Sequence, residues 1–363
     1  MKTSHAASHA LSSAASQRSA DFQVRVASRP LGTVSCQPVD RTAVQLAPTK
    51  RTLTVLGICA ALAPLAVRAQ FDPAAIRSIQ GDRIEAASIL GGDFGLAGAS
   101  YRYDDKNTID ISKFGGAGDI GDPQPLFDSP IKWQPRLQGN MGYLTAKDTF
   151  RSGDLEGDTS KYYTYAIQFG GGARFWFGNH LSLAPTFMGM YGHTHENFIA
   201  TSATGRANYQ DADKAGLINW SVDTWTIRPS GQLAWVQDFG RVRVTLASDG
   251  TYFHTEDFSG SDNHPSVKGD SETWRNMIDI DIPLGRELFG HELRTGGFFS
   301  RTEFYNHIEK GLNWDHEYEI HYRIVLDFLG ELWKVQWLGI GASYLWGANF
   351  DGYSFGVDAA FRF

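Results

Sequence analysis

Along its last eleven residues this chain alternates with a period of two. Tyr353, Phe355, Val357, Ala359, Phe361 and Phe363 fall on one face, and Ser354, Gly356, Asp358, Ala360 and Arg362 on the other. That period defines a β-strand, because successive side chains point to opposite faces of a sheet. The pattern recurs back to about residue 95. Trp133, Pro135, Leu137, Met141 and Tyr143 oppose Gln134, Arg136, Gln138 and Asn140, and Tyr318, Ile320, Tyr322, Ile324, Leu326 and Phe328 oppose Glu319, His321, Arg323 and Asp327. A face this apolar needs apolar surroundings. Either the core of a soluble sandwich or the hydrocarbon of a membrane supplies them.

Composition permits both. The chain is 42% hydrophobic and 13% aromatic, contains 39 glycines and has a mean hydropathy of -0.29. It contains no run of eighteen apolar residues, which excludes a helical membrane protein but not a barrel, whose apolar residues come at every second position. A strand that ends on an aromatic residue is the habit of bacterial outer-membrane barrels, with apolar side chains turned to lipid and polar ones to the lumen. Eight Lys/Arg against two Asp/Glu before residue 70 leave the remainder at −13 within a total of −7, which argues against nucleic acid as a partner. Both cysteines, Cys36 and Cys59, also precede residue 70, which suits passage through an oxidising periplasm.

The leading residues divide by composition. Residues 1–49 are rich in Ser, Ala and His without a sustained period, the mark of a disordered stretch or of a start codon read too far upstream. Residues 50–69 read as a signal peptide: Lys50-Arg51, an apolar run from Leu53 to Val67, and a cut site at Val67-Arg68-Ala69. Residues 70–94 form a lead-in segment compatible with a helix, and 95–363 the transmembrane barrel.

Counting alternating segments gives about twelve antiparallel strands, an even number as a closed barrel requires. Turns at 178–180, 238–240, 285–291 and 330–332 are short. Connections at 147–160, 194–221, 255–270 and 305–316 are long and polar, so the short set is assigned to the periplasm and the long set to the exterior. Gly115 to Pro130 is too long for a periplasmic turn, which leaves the topology of 104–131 open between a misplaced hairpin and an inserted loop. Pro135, Pro185 and Pro229 lie within strands, where proline suggests bulges.

The tract Trp133-Gln-Pro-Arg-Leu-Gln-Gly-Asn-Met-Gly-Tyr-Leu-Thr-Ala-Lys147, the strand pairs after it and the aromatic end resemble the solitary outer-membrane autotransporter-type β-barrel family over residues 90 to 363. The resemblance implies a closed twelve-stranded antiparallel barrel in the outer membrane. Autotransporter barrels carry a helix in the lumen and a passenger domain ahead of it. Here Gln70 to Gly95 leaves no room for a passenger, so passenger secretion is not carried over. The family brings no catalytic residues with it.

Candidate chemistry is sparse. His193, His195 and Glu196 are conceivable metal ligands, but only the two histidines share a strand face, a third fixed ligand is not evident, and a solvated loop mouth accounts for them. Asp315-His316 with Asp104-Asp105 is similar to the acidic and His-Asp pairs of outer-membrane aspartyl proteases, while His254 with Ser259 or Asn263-His264 offers phospholipase-like residue types. No flanking pattern supports either hydrolase. The expectation is therefore no catalytic, cofactor or metal site. The inward set carries most functional weight: Arg136, Arg174, Arg228, Arg275, Asp279, Arg323, Asp327 and Asp358, with Arg102, Arg243, Asp281 and Arg362. Charges of both signs either pair and fill the lumen or set the selectivity of a narrow channel. Tyr353, Phe355, Val357, Phe361 and Phe363 form the expected assembly signal, whose edge would pair with the barrel-insertion machinery. The leading function is a structural or narrow-pore barrel embedded in outer-membrane lipid and exported by a cleaved signal peptide. The alternative is a surface hydrolase in the same barrel. Oligomeric state is not legible.

Overall fold

Nineteen-residue strands with polar side chains buried and apolar ones exposed are the signature of the fold. In Leu181–Ile199 every second residue from Ser182 to Phe198 is buried, whereas Leu183, Phe187 and Tyr191 on the alternate positions are exposed. The computed structural model describes residues 24–27, 73–93, 98–102, 107–150, 153–262, 264–332 and 335–361. Twelve strands close into an antiparallel barrel: β1 (Ser100–Arg102), β2 (Thr108–Asp119), β3 (Lys132–Thr149), β4 (Thr159–Phe177), β5 (Leu181–Ile199), β6 (Ser221–Phe239), β7 (Val242–Gly260), β8 (Lys268–Leu288), β9 (His291–Asn306), β10 (His316–Leu332), β11 (Val335–Trp346) and β12 (Asp351–Phe361). Each pairs with its neighbour in sequence, and β12 pairs with β1 to close the ring. Closure removes the free edges that an open sheet would expose. Below the short β1, Val24–Ala27 pairs with both β12 and β2.

Among the described residues three α-helices accompany the wall. α1 (Pro73–Gly92) lies inside the barrel, α2 (Ala203–Lys214) sits in the β5–β6 connection, and α3 (His307–Leu312) in the β9–β10 connection. The connections after β3, β5, β7 and β9 leave one end of the barrel, and the tight turns, such as Gly178–His180 and Gly240-Arg241, lie at the other together with the twelve-residue connection 120–131. The strands run further than the alternation indicated, so the loops shrink to 150–158, 200–220, 261–267 and 307–315. The 104–131 ambiguity resolves in the same way. β2 continues to Asp119 in unbroken register with β3, and the remaining residues form a turn carrying a two-residue pairing, Gln124–Pro125 with Lys132 and Trp133.

Two sequence expectations are corrected. The prolines cause no bulges: Pro135 faces Ala173, Pro185 faces Gly231 and Pro229 faces Phe187 in continuous register, and register shifts fall elsewhere, as at Asp223/Thr224 and Pro283/Arg286. The first strand also has the opposite orientation. Tyr101 points inward and is buried against Trp314 and Phe350, with ring centroids 5.9 and 5.7 Å away, while Arg102 faces outward and pairs with Asp351 at 3.4 Å. The reason is the apolar plug, which rewards an aromatic ring inside the barrel at this height. Ile109 and Ile111 of β2 turn inward to the same cluster, which includes Ile89, Leu90, Ile308 and Leu312.

Candidate functional site: a stoppered lumen

Glycine allows α1 to sit hard against the wall. A Cβ on Gly142 of β3 would collide with the carbonyl of Gly91, and one on Gly92 would collide with the Met190 side chain of β5. At this end of the helix the backbone carbonyls would otherwise lack partners. Asn140 Nδ2 donates to the Gly92 carbonyl at 2.7 Å, and Lys113 Nζ to the Asp93 carbonyl at 2.8 Å. Arg228 Nε lies 2.6 Å from the Asp93 carboxylate. Two cations thus face the negative end of the helix dipole, a favourable arrangement in a confined space.

Towards the loop end the helix is tied at every turn. Ser88 Oγ lies 3.3 Å from Thr224 Oγ1. Ser271 Oγ donates to Glu85 at 2.5 Å and accepts from the backbone N–H of Ile308 at 3.0 Å, which joins plug, wall and α3 through one hydroxyl. His307 Nδ1 meets Asp82 at 2.5 Å, and Arg83 pairs with Asp148 at 3.2 Å. Gln80 Nε2 donates to the carbonyl of Leu217 at 2.9 Å, and Arg77 to that of Ala215. Glu85 belongs to the plug and not to a wall strand. Burial pushes its carboxyl from 4.5 up to about 7, against the opposing pull of Ser271 and His307.

Between the helix end and the turn end lies a cavity of about 230 Å³ walled by charge. Arg323 grips Asp279 through both amino groups, at 2.7 and 2.8 Å. Asp119 receives Arg136 at 2.7 Å and Arg174 at 3.0 Å, and Arg275 meets Glu319 at 3.3 Å. Arg294 bridges Asp281 at 2.5 Å and Asp327 at 3.4 Å. Of the expected lumen set, Arg136, Arg174, Arg228, Arg275, Asp279, Arg323 and Asp327 all point inward, and Arg243 and Asp281 line the cavity. Asp358 and Phe361 carry no described side chain and Arg362 and Phe363 lie outside the described residues, whereas Tyr353, Phe355 and Val357 are exposed on the outer face. Sequence reasoning missed the partners Asp93, Lys113, Asp119 and Arg294. Lys113, Asp119 and Arg294 occupy inward slots in the same alternation and Asp93 follows the helix, but which acid meets which base is set by the closure of the barrel.

The metal candidates are not brought together. His193 and His195 face outward while Glu196 is buried inward, hydrogen-bonded by Ser160 at 2.5 Å. His316 Nδ1 meets Asp315 at 2.6 Å, and Asp104-Asp105 and Asn263 lie outside the described residues. His254 pairs with Asp270 at 2.7 Å on the outer face.

A twelve-stranded barrel with inside-out burial and a helix in its lumen defines the class as autotransporter-like outer-membrane β-barrels. The chain belongs to the family described as the solitary outer membrane autotransporter beta-barrel domain, which matches residues 126–356. Its fold is similar to the transport unit of the autotransporter AIDA-I from Escherichia coli, with a TM-score of 0.51 and 11% identity over 81% of this chain and 100% of that one. The translocator domain of NalP from Neisseria meningitidis scores 0.49 at 14% identity, covering 80% of this chain and 96% of that one. The beta domain of the Bordetella autotransporter BrkA scores 0.47 at 13% identity, covering 73% and 96%. No curated protein matches.

Proposed function

We propose that this is a non-enzymatic outer-membrane barrel, closed at rest by its own α1, which serves as a structural element or a narrow gated pore. The observation that carries the reading is that α1 is bonded to the wall at its C-terminal end and along its length, and to the β5–β6 connection at its N-terminal end. With the Gly92 carbonyl, Ser88 and Glu85 each matched to a wall group, the helix keeps these buried polar groups satisfied in its seat. The exposed apolar belt, including Phe169, Phe187, Ile278, Tyr322 and Phe355, is the surface that outer-membrane lipid would cover. In this reading a signal peptide ending at Ala69 directs export, and the closing strand presents its edge to the insertion machinery.

A disulfide trap tests the seat of the helix. With Cys36 and Cys59 replaced by serine, Ser88→Cys with Thr224→Cys should cross-link spontaneously in isolated membranes, read as a shift in non-reducing gel migration. Failure of this pair, while an adjacent-strand control pair forms, would contradict a seated plug.

A further inference from the structure

A side-chain arrangement recurs on the outer face near the loop end. On β5, Tyr191 Oη donates to Asp223 Oδ1 at 2.7 Å and His193 Nδ1 meets the same oxygen at 2.7 Å. On β7, Tyr252 Oη donates to Asp270 Oδ1 at 2.6 Å and His254 Nδ1 meets that oxygen at 2.7 Å. In both, the histidine lies directly opposite the aspartate, and the aspartate is the third residue of its strand. In each clamp the tyrosine and histidine converge on one carboxylate oxygen, Asp223 also accepts from Ser259, and both clamps face away from the lumen.

β6 and β7 join the clamps into one surface. Trp225 lies beside the His254 ring, centroids 5.8 Å apart, and Phe258 beside Tyr191 at 6.2 Å. The Asp270 side chain is 55% exposed and Phe258 is 58% exposed. The patch spans three interstrand spacings, about 15 Å. Nineteen-residue strands are about 60 Å long and, even tilted, outrun an apolar band about 25 Å tall, so their loop ends reach the headgroup layer. Fixed carboxylates that accept hydrogen bonds, set among exposed aromatic faces, suit sugar hydroxyls and the apolar faces of sugar rings. They suit a bare phosphate poorly, because each histidine is already matched by an acid.

We infer that the Tyr–His–Asp clamps at Asp223 and Asp270 form a binding surface for the saccharide headgroup of a membrane glycolipid. This rests on the membrane-embedded reading above. Native mass spectrometry of the detergent-solubilised full chain can compare diglucosyl diacylglycerol with phosphatidylglycerol of the same acyl chains. The wild type should retain the sugar lipid at about tenfold lower concentration, and Asp223→Ala with Asp270→Ala should abolish the preference while heat-modifiable gel migration stays normal. Equal retention of both lipids by the wild type, or an unchanged preference in the variant, would overturn the inference. Flotation of the wild type with phosphatidylglycerol vesicles separates the two readings. Failure to float sinks both, whereas floating without a sugar preference sinks only this one.

Discussion

Arg323 and Asp279 face each other from β10 and β8, across the intervening β9, and both are nearly inaccessible. Removing one partner strands the other charge in a confined lumen, which costs about 3–5 kcal/mol, while replacing both with apolar groups is close to neutral. Arg323→Leu should therefore lower the temperature at which the folded gel band converts to the unfolded one, and adding Asp279→Leu should restore most of the loss. Equal losses in the single and double variants would show that the pair itself is not what holds these strands. The sequence made both residues legible as inward, since each occupies a polar slot between apolar ones. It did not make the pair legible, because an arginine that reaches past a neighbouring strand answers to barrel curvature. The same limit hid Asp93, a residue beyond the alternating strands that meets Arg228 only when the helix descends into the barrel.

As an element, α1 was legible as a helix-compatible stretch but not as a plug. Amphipathic helices show one apolar stripe, whereas α1 buries Gln80, Glu85 and Ser88 along with Ile84, Ile89 and Leu90 because its surroundings are polar and apolar by turns. Glu85 gives the element a pH dependence. Its carboxyl ionises at about 7 when seated against an ordinary 4.5, so the released helix gives up its proton first as pH rises. Seating is firmest below the ordinary value, weakens as pH climbs to about 7 and changes no further above it. Open probability in a bilayer should thus rise between pH 5 and 7 in the wild type and stay flat in Glu85→Gln. A wild type as flat as the variant would remove Glu85 from control of the plug. The inverted first strand belongs to this scale too: Tyr101 reads as lipid-facing by alternation alone, and only the neighbouring Trp314 and Phe350, far along the chain, turn it inward.

At the scale of the whole molecule, strand number, antiparallel order and the asymmetry of short turns and long loops were all legible, because a lipid-facing wall imposes a period of two on nearly every segment. The state of the lumen was not, since it depends on a segment outside that pattern. The central claim is that this lumen is shut by α1, and single-channel conductance in a planar bilayer tests it most directly. The wild-type chain should stay closed for most of the recording, and Gly142→Val, whose side chain would collide with the Gly91 carbonyl, should conduct steadily. A wild type that conducts as a persistently open pore, with Gly142→Val no different, would contradict the account.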